Sequence, residues 1–128
     1  RDREQMLRNI DKRREQVVDA RSAGRFLAKE PEPREGMRSG HIPGSRNVPF
    51  PSLLNEDGTY RDAAALRAAF QDAGVDVAKP LATTCGSGVT ACTLALGLYL
   101  IGNTDVAVYD GSWSEWGSRE DTPVETTA

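Results

Sequence analysis

The segment between residues 80 and 102 constrains the fold of this chain more than any other. Residues 80–84 are apolar and β-branched, as in a short buried strand, and Cys85-Gly86-Ser87-Gly88 follows as a glycine-bearing turn. The strongly apolar segment 89–101 then predicts a buried helix that stops at Gly102. A strand, a tight loop and a helix in this order are typical of a parallel α/β sheet.

The other predicted elements alternate in the same way. The first half of the chain predicts a helix over residues 2–14, a buried strand over 16–20, a long loop over 22–50 with a short helix near 22–27, and a strand ending at 47–49. The second half predicts a helix capped by Asp62 and closed by Gly74, a strand over 106–109, a short helix bearing Trp113 and Trp116, and a surface strap over 122–128. The pattern predicts an α/β fold with an open parallel sheet.

The composition narrows the class of protein. A chain of 128 residues with 38% hydrophobic and 27% charged residues fits one globular domain, and no apolar run reaches the length of a bilayer span. The net charge of −3 gives no general attraction to nucleic acid or to anionic lipid. Because the chain starts at Arg1, with neither an initiator Met nor the apolar core of a signal peptide, we expect a mature product or an excised piece.

Two cysteines are present, Cys85 and Cys92. Their separation of about two helical turns, roughly 10 Å, exceeds the reach of a disulfide. With no further cysteines, neither a disulfide framework nor a multi-cysteine metal site is expected. The sequence therefore predicts a reducing, cytoplasmic setting.

Cys85 is the strongest candidate for chemistry. It follows a predicted strand at the carboxyl edge of the sheet, where α/β proteins bind ligands, and a helix begins behind it. Gly86 and Gly88 lack side chains, so backbone N–H groups can turn inward and favour a thiolate, helped by the helix amino terminus. Cys92 falls within the predicted helix, where filling the core is the expected role.

A cysteine loop before a helix is also found in tyrosine phosphatases. In those enzymes an arginine six positions after the cysteine binds phosphate through two hydrogen bonds. That position is Ala91 in this chain, which argues against a phosphatase.

Three segments resemble the rhodanese superfamily. Thr84-Cys85-Gly86-Ser87-Gly88-Val89-Thr90-Ala91 is similar to the active-site loop of its mercaptopyruvate sulfurtransferases. Residues 40–49, with the sequence GHIPGSRNVP, and residues 109–116, with the sequence YDGSWSEW, resemble the upstream and carboxyl-terminal signatures. Together with residues 17–21 and 30–34, the resemblance covers nearly the whole chain.

The resemblance implies a rhodanese-like open parallel sheet with helices on both faces. It also implies that residues 1–14 form a linker helix from a preceding domain and that residues 15–128 form the catalytic rhodanese domain. Enzymes of this kind usually carry an amino-terminal rhodanese-like domain, which would lie outside this chain. No metal and no organic cofactor is implied, and neither a nucleic acid nor a membrane is expected as a partner.

The implied reaction takes sulfur from 3-mercaptopyruvate onto Cys85 as a persulfide and releases pyruvate. The persulfide then passes its sulfur to cyanide or to a thiol, such as reduced thioredoxin or a small thiol. Ser87 matches a serine of a proton relay whose histidine and aspartate belong to the preceding domain. The resemblance gives substrate-binding roles to six residues: Arg25, Arg34, Gly86, Gly88, Val89 and Thr90.

Two alternatives remain open at this point. Thiosulfate could be the donor, but enzymes that use it tend to carry basic residues after the cysteine, and Gly86-Ser87 supplies no charge. The chain could also be a persulfide carrier with little turnover of its own.

Five residues outside the loop are expected to serve structure. His41 is predicted to brace a loop, and Asp19 and Asp110 to bind backbone N–H groups after their strands. Trp113 and Trp116 are predicted to pack the last helix.

Overall fold

The computed structural model describes residues 1–127 and contains one four-stranded sheet. Its strands are β1 (Gln16–Asp19), β2 (Arg46–Asn47), β3 (Leu81–Thr84) and β4 (Val106–Val108). They lie in the order β2-β1-β3-β4, and each neighbouring pair is parallel. The predicted open parallel sheet is confirmed.

The strand order creates a crevice at the middle of the sheet. After β1 the chain moves outward to β2, whereas after β3 it moves to β4 on the opposite side. The loops that leave β1 and β3 therefore diverge at the carboxyl edge, the usual ligand site of an open α/β sheet. The register pairs Asp19 with Thr84, so the two loops leave the sheet side by side.

Helices cover both faces of the sheet, as the resemblance implied. They are α1 (Arg3–Lys12), α2 (Ala23–Phe26), α3 (Ala63–Asp72), α4 (Ala91–Leu100) and α5 (Ser112–Trp116), with a short 3₁₀ helix over Phe50–Leu53. Because side chains alternate along a strand, Val18 and Leu81 enter the core under α3 and α4, while Val17 and Ala82 enter the core under α1 and α5. Neither helix layer could bury its apolar face without the sheet between them.

The first helix belongs to one of these two cores. Asp2 accepts a hydrogen bond from the backbone N–H of Gln5, and the Gln5 side chain accepts one from Asp2, which closes a capping box. Met6 is buried against Val17 and Trp113. The helix therefore packs on the sheet, and its predicted connection to a preceding domain stays a prediction.

The predicted boundaries need three corrections. The helix predicted over residues 2–14 is shorter and spans Arg3–Lys12. The helix predicted over residues 89–101 begins at Ala91, because Val89 and Thr90 form a turn. The strand predicted to end at 47–49 is the two-residue β2, and Val48 instead enters the core under α4. Over residues 1–127, no helix is both long enough and apolar enough to cross a membrane.

The carboxyl-terminal segment packs as a strap, as predicted. Glu125 and His41 exchange backbone hydrogen bonds of 2.8 and 2.9 Å in an antiparallel bridge. The indole N–H of Trp116 donates to the carbonyl of Pro123 at 2.8 Å. Ala128, the last residue of the predicted strap, lies outside the described residues.

Candidate active site

The crevice at the middle of the sheet is an open cleft of about 410 Å³. The Cys85 side chain lies beneath its floor and is 1% exposed. Arginines line the cleft on the β1 side, and the glycine-bearing loop lines it on the β3 side. The residues of the two sides are Arg21, Arg25 and Arg34, and Gly86, Ser87 and Thr90.

Helix α5 fixes the orientation of the Cys85 loop. The backbone N–H of Trp113 donates to the Cys85 carbonyl at 2.9 Å. The N–H and the hydroxyl of Ser114 both donate to the Gly86 carbonyl, at 2.8 and 2.7 Å. With these two carbonyls turned towards α5, the loop presents N–H groups to the sulfur, and the Gly88 N–H lies 3.0 Å from Sγ. The loop is therefore a cradle for negative charge at Sγ.

This cradle lowers the pKa of Cys85. Burial raises the pKa and is the largest single influence, but hydrogen bonds from the Thr90 hydroxyl and from the N–H groups of Ala91, Gly88 and Ser87 together outweigh it. The Thr90 hydroxyl is free to act in this way because, as the cap of α4, it forms no capping hydrogen bond. The predicted thiolate-favouring loop is confirmed.

Replacing Thr90 with valine is expected to raise the pKa of Cys85 because one of the hydrogen bonds to the thiolate is lost. A thiol with a lowered pKa stays ionised, and therefore reactive, until the pH falls through that pKa. In the unchanged chain Cys85 thus reacts at pH values below the ordinary thiol pKa of 9.0, and Thr90→Val should narrow this range. The rate of Cys85 alkylation by iodoacetamide, followed by peptide mass spectrometry across pH, measures the shift. Exposed Thr104 supplies a matched Thr104→Val control. An unchanged midpoint in Thr90→Val would contradict this role.

Ser112 is a loop-supporting residue that the sequence reasoning missed. Its hydroxyl accepts from the Cys85 N–H at 3.1 Å, donates to the Tyr109 carbonyl at 2.8 Å and lies 4.0 Å from Sγ. Ser112 is fully buried and has a φ of 52°, in the left-handed region that non-glycine residues seldom adopt. Its contacts join residues 27 positions apart, which no local pattern reveals.

A buried ion-pair network underlies the arginine side of the cleft. Arg21 donates to Asp19 at 2.7 Å, to Glu32 at 3.3 Å and to the Gly40 carbonyl at 2.6 Å. Its guanidinium also lies 4.4 Å from the centre of the Trp113 ring. Neither Arg21 nor Glu32 was singled out from the sequence, since nothing local distinguishes them from the many other charged residues nearby.

The two predicted substrate-binding arginines differ in their surroundings. Arg25 is tied to Glu32, with Nη2 2.7 Å from Oε1 and Nε 3.2 Å from Oε2. Arg34 is exposed and forms no salt bridge with any residue of the described part of the chain. Ser87 and Val89 are exposed at the edge of the loop, and the Ser87 side chain forms no hydrogen bond within residues 1–127.

Two of the three structural roles predicted for His41, Asp19 and Asp110 are confirmed. His41 braces α2, as predicted, through a 2.7 Å contact between Nδ1 and the Phe26 carbonyl and a ring stack at 3.7 Å. The Asp19 carboxylate accepts from the Arg21 N–H at 2.9 Å, again as predicted. The prediction for Asp110 is wrong, because it is exposed and its carboxylate accepts no hydrogen bond from the described residues.

Trp113 and Trp116 are buried, which confirms that they pack. Both cysteines are free, also as predicted, but the core role predicted for Cys92 is wrong. Because α4 packs through Ala91, Leu94 and Leu98, Cys92 falls on its solvent face.

Fold and site together define a class of protein. The chain is a parallel α/β domain whose buried cysteine is stabilised as a thiolate beneath an arginine-lined cleft at the carboxyl edge of the sheet.

Comparison with known proteins identifies the family. Residues 2–119 match the family described as Rhodanese-like domain, so the chain belongs to the rhodanese family. It is 54% identical to 3-mercaptopyruvate sulfurtransferase of Rattus norvegicus over 91% of this chain and 39% of the relative. It is also 55% identical to thiosulfate sulfurtransferase of the same species over 96% of this chain and 41% of the relative. The chain thus spans about two fifths of the length of these curated relatives.

Solved structures agree with this assignment. The Tum1 protein from Saccharomyces cerevisiae superposes with a TM-score of 0.87 at 37% identity, covering 100% of this chain and 47% of that one. SseA from Escherichia coli, described as a 3-mercaptopyruvate sulfotransferase, superposes with a TM-score of 0.75 at 39% identity over 90% of this chain and 42% of that one. The rhodanese-like fold expected from the sequence is confirmed.

Proposed function

We propose that this domain is a sulfurtransferase that takes sulfur from 3-mercaptopyruvate and carries it on Cys85 as a persulfide. The observation that carries the proposal is the Cys85 loop, which presents the Gly88 N–H to Sγ at 3.0 Å beneath an arginine-lined cleft. An oriented set of N–H donors stabilises a thiolate before the reaction and a persulfide anion after it. Relatives named as sulfurtransferases support the same conclusion.

The first half-reaction balances without a cofactor. The Cys85 thiolate attacks the thiol sulfur of 3-mercaptopyruvate, so an S–S bond forms while the C–S bond breaks. The electron pair of the C–S bond leaves with the carbon as the enolate of pyruvate. This enolate takes up the thiol proton of the donor sulfur, which gives pyruvate and the Cys85 persulfide anion. No outside oxidant or reductant is consumed.

The second half-reaction returns Cys85 to its thiolate. Cyanide attacks the outer sulfur and leaves as thiocyanate. A dithiol such as reduced thioredoxin attacks the same sulfur and then closes its own disulfide, releasing hydrosulfide. The identity of the acceptor and a cytoplasmic location both stay predictions.

The cleft suits a small carboxylate as the donor. Arg25 and Arg34 lie on one wall. Arg34 has no carboxylate partner among the described residues and can bind a carboxylate through paired hydrogen bonds, while Arg25 keeps Nη1 for the donor. Gly86 and Ser87 on the opposite wall add no positive charge. Thiosulfate is the second candidate, because relatives of comparable identity are named as thiosulfate sulfurtransferases.

Ser87 is proposed to act with groups outside this chain. It lies exposed at the cleft, and a preceding rhodanese-like domain would supply the histidine and aspartate of a proton relay to the enolate. The length of the relatives is consistent with such a domain. Without these partners, we expect Cys85 to accept sulfur but to turn over slowly.

Intact-protein mass measurement after incubation with 3-mercaptopyruvate tests the proposal. We expect one added sulfur atom in the unchanged chain and in Cys92→Ser, and none in Cys85→Ser. Cys92→Ser is the matched control because its thiol is exposed and lies outside the loop. Sulfur retained by Cys85→Ser, or no mass change in the unchanged chain, would refute the assignment.

A second measurement separates an enzyme from a carrier. Pyruvate release is followed with this chain alone and with a relative's amino-terminal domain added. Release that stays fast and unchanged would exclude the carrier alternative, whereas release that requires the added domain would support the proposed relay through Ser87.

A further inference from the structure

Glu32 lies at the centre of the charged wall of the cleft. Its side chain is 1% exposed and forms salt bridges to two arginines, Arg25 at 2.7 Å and Arg21 at 3.3 Å. Arg21 is itself 1% exposed and pairs with Asp19, which is equally buried. A buried carboxylate with two guanidinium partners is held in position, because loss of either contact would leave a buried charge without its partner.

The four charges of this network cancel. Asp19 and Glu32 contribute two negative charges, and Arg21 and Arg25 contribute two positive ones. Of the three arginines that line the cleft, Arg34 alone has no carboxylate partner within residues 1–127. The wall therefore carries a surplus of one positive charge, although three arginines contribute to it.

Glu32 also sets the direction of Arg25. It occupies both Nε and Nη2 of the guanidinium, so only Nη1 is free of protein partners among the described residues. In this orientation Nη2 lies 3.0 Å from the point that a Cβ on Gly86 would occupy. Glu32 thus holds Arg25 directly against the Cys85 loop, and the absence of a side chain at Gly86 leaves the space for it.

We propose that Glu32 is a positioning residue that selects the charge of the sulfur donor. It holds Arg25 against the Cys85 loop and cancels that charge, which leaves Arg34 to balance a single negative charge. The attacking Cys85 thiolate is also negative and makes a doubly charged donor still less favourable. The cleft consequently favours a monoanionic thiol such as 3-mercaptopyruvate over a dianion such as thiosulfate. This inference rests on the proposed sulfurtransferase function.

Glu32→Gln tests the inference because it removes the charge and keeps the size of the side chain. Electrostatic attraction scales with the charge of the donor, so the added positive charge helps thiosulfate more than mercaptopyruvate. We expect the ratio of kcat/KM for mercaptopyruvate to kcat/KM for thiosulfate to fall by about tenfold or more. Glu35→Gln, on the same loop but exposed and without a partner in the described chain, should leave the ratio unchanged.

The outcomes separate the two proposals. If Glu32→Gln lowers kcat/KM equally for both donors, Glu32 is only a structural support and the selectivity proposal is overturned. Persulfide formation on Cys85 in the same experiment would still support the transferase function. If the unchanged chain forms no persulfide with either donor, both proposals fail.

Alkylation of Cys85 gives a readout that does not depend on turnover. Iodoacetate carries one negative charge and iodoacetamide carries none, so their relative rates at Cys85 report the charge of the cleft. We expect Glu32→Gln to raise the ratio of the iodoacetate rate to the iodoacetamide rate severalfold. The rates are measured on the peptide that contains Cys85, because the exposed Cys92 reacts with the reagents as well. An unchanged ratio would contradict the charge-balancing role.

Discussion

Replacing Arg21 with methionine is expected to lower the free energy of unfolding by about 3 to 5 kcal/mol. The Arg21 side chain is 1% exposed and is the only cationic partner of Asp19 in the described part of the chain. Methionine matches the length of the stem and can still lie against Trp113, but it leaves Asp19 as an uncompensated buried charge. The loss is a large share of the roughly 5 to 15 kcal/mol that stabilises a typical domain.

Urea unfolding of both proteins measures this loss. Arg119→Met is the control, because Arg119 forms a similar paired contact to Asp121, at 2.8 and 2.9 Å, but on the exposed surface. Surface pairs contribute little, so the midpoint of the control should hardly move. Equal midpoints for Arg21→Met and Arg119→Met would show that the buried network does not stabilise the fold.

Gly88→Ala is expected to destabilise the domain by about 3 kcal/mol and to prevent persulfide formation. Gly88 has a φ of +98°, and an added Cβ would lie 2.6 Å from the backbone carbonyl oxygen of Asp110. Backbone cannot yield as a flexible side chain can, so the loop must move. The movement displaces the N–H that lies 3.0 Å from the Cys85 sulfur.

Gly58→Ala separates the cost of the positive φ from the cost of the close contact with Asp110. Gly58 has a similar φ of +86° but no atom within 4 Å of an added Cβ. We expect it to cost only about 1 kcal/mol of backbone strain and to leave persulfide formation intact. Thermal unfolding and intact-protein mass measurement check both variants, and equal losses in the two would argue against a close contact at Gly88.

Most helices and strands of the fold could be predicted from local sequence. The apolar run after Cys85 and the capping residue Asp62 each carry a periodic or end-specific signal that acts over a few residues. The start of α4 was placed two residues too early, because Val89 is apolar but belongs to the turn that closes over the sulfur. Composition alone does not show that Val89 and Thr90 belong to the active-site loop and not to the first turn of α4.

Parts of the candidate active site could also be predicted. Cys85 and its two glycines could be recognised because their chemistry is local, and Arg25 and Arg34 came from the family resemblance. Glu32 and Ser112 could not be found, because the contacts that define their roles join separate segments: Glu32 meets Arg21 across 11 residues and Ser112 meets Cys85 across 27. Cys92 was misassigned because an apolar helix segment does not show which of its faces meets the core.

The sequence by itself determined that a cysteine ends a strand of a parallel sheet and is followed by a turn that can stabilise a thiolate. Tertiary structure decided how that cysteine is held and what charge surrounds it. Hydrogen bonds from α5 turn the Cys85 and Gly86 carbonyls away from the sulfur, and Asp19 and Glu32 neutralise two of the three arginines that line the cleft. The physical reason is distance: backbone preferences act between neighbours, whereas electrostatic balance in a buried site depends on groups that only folding brings together.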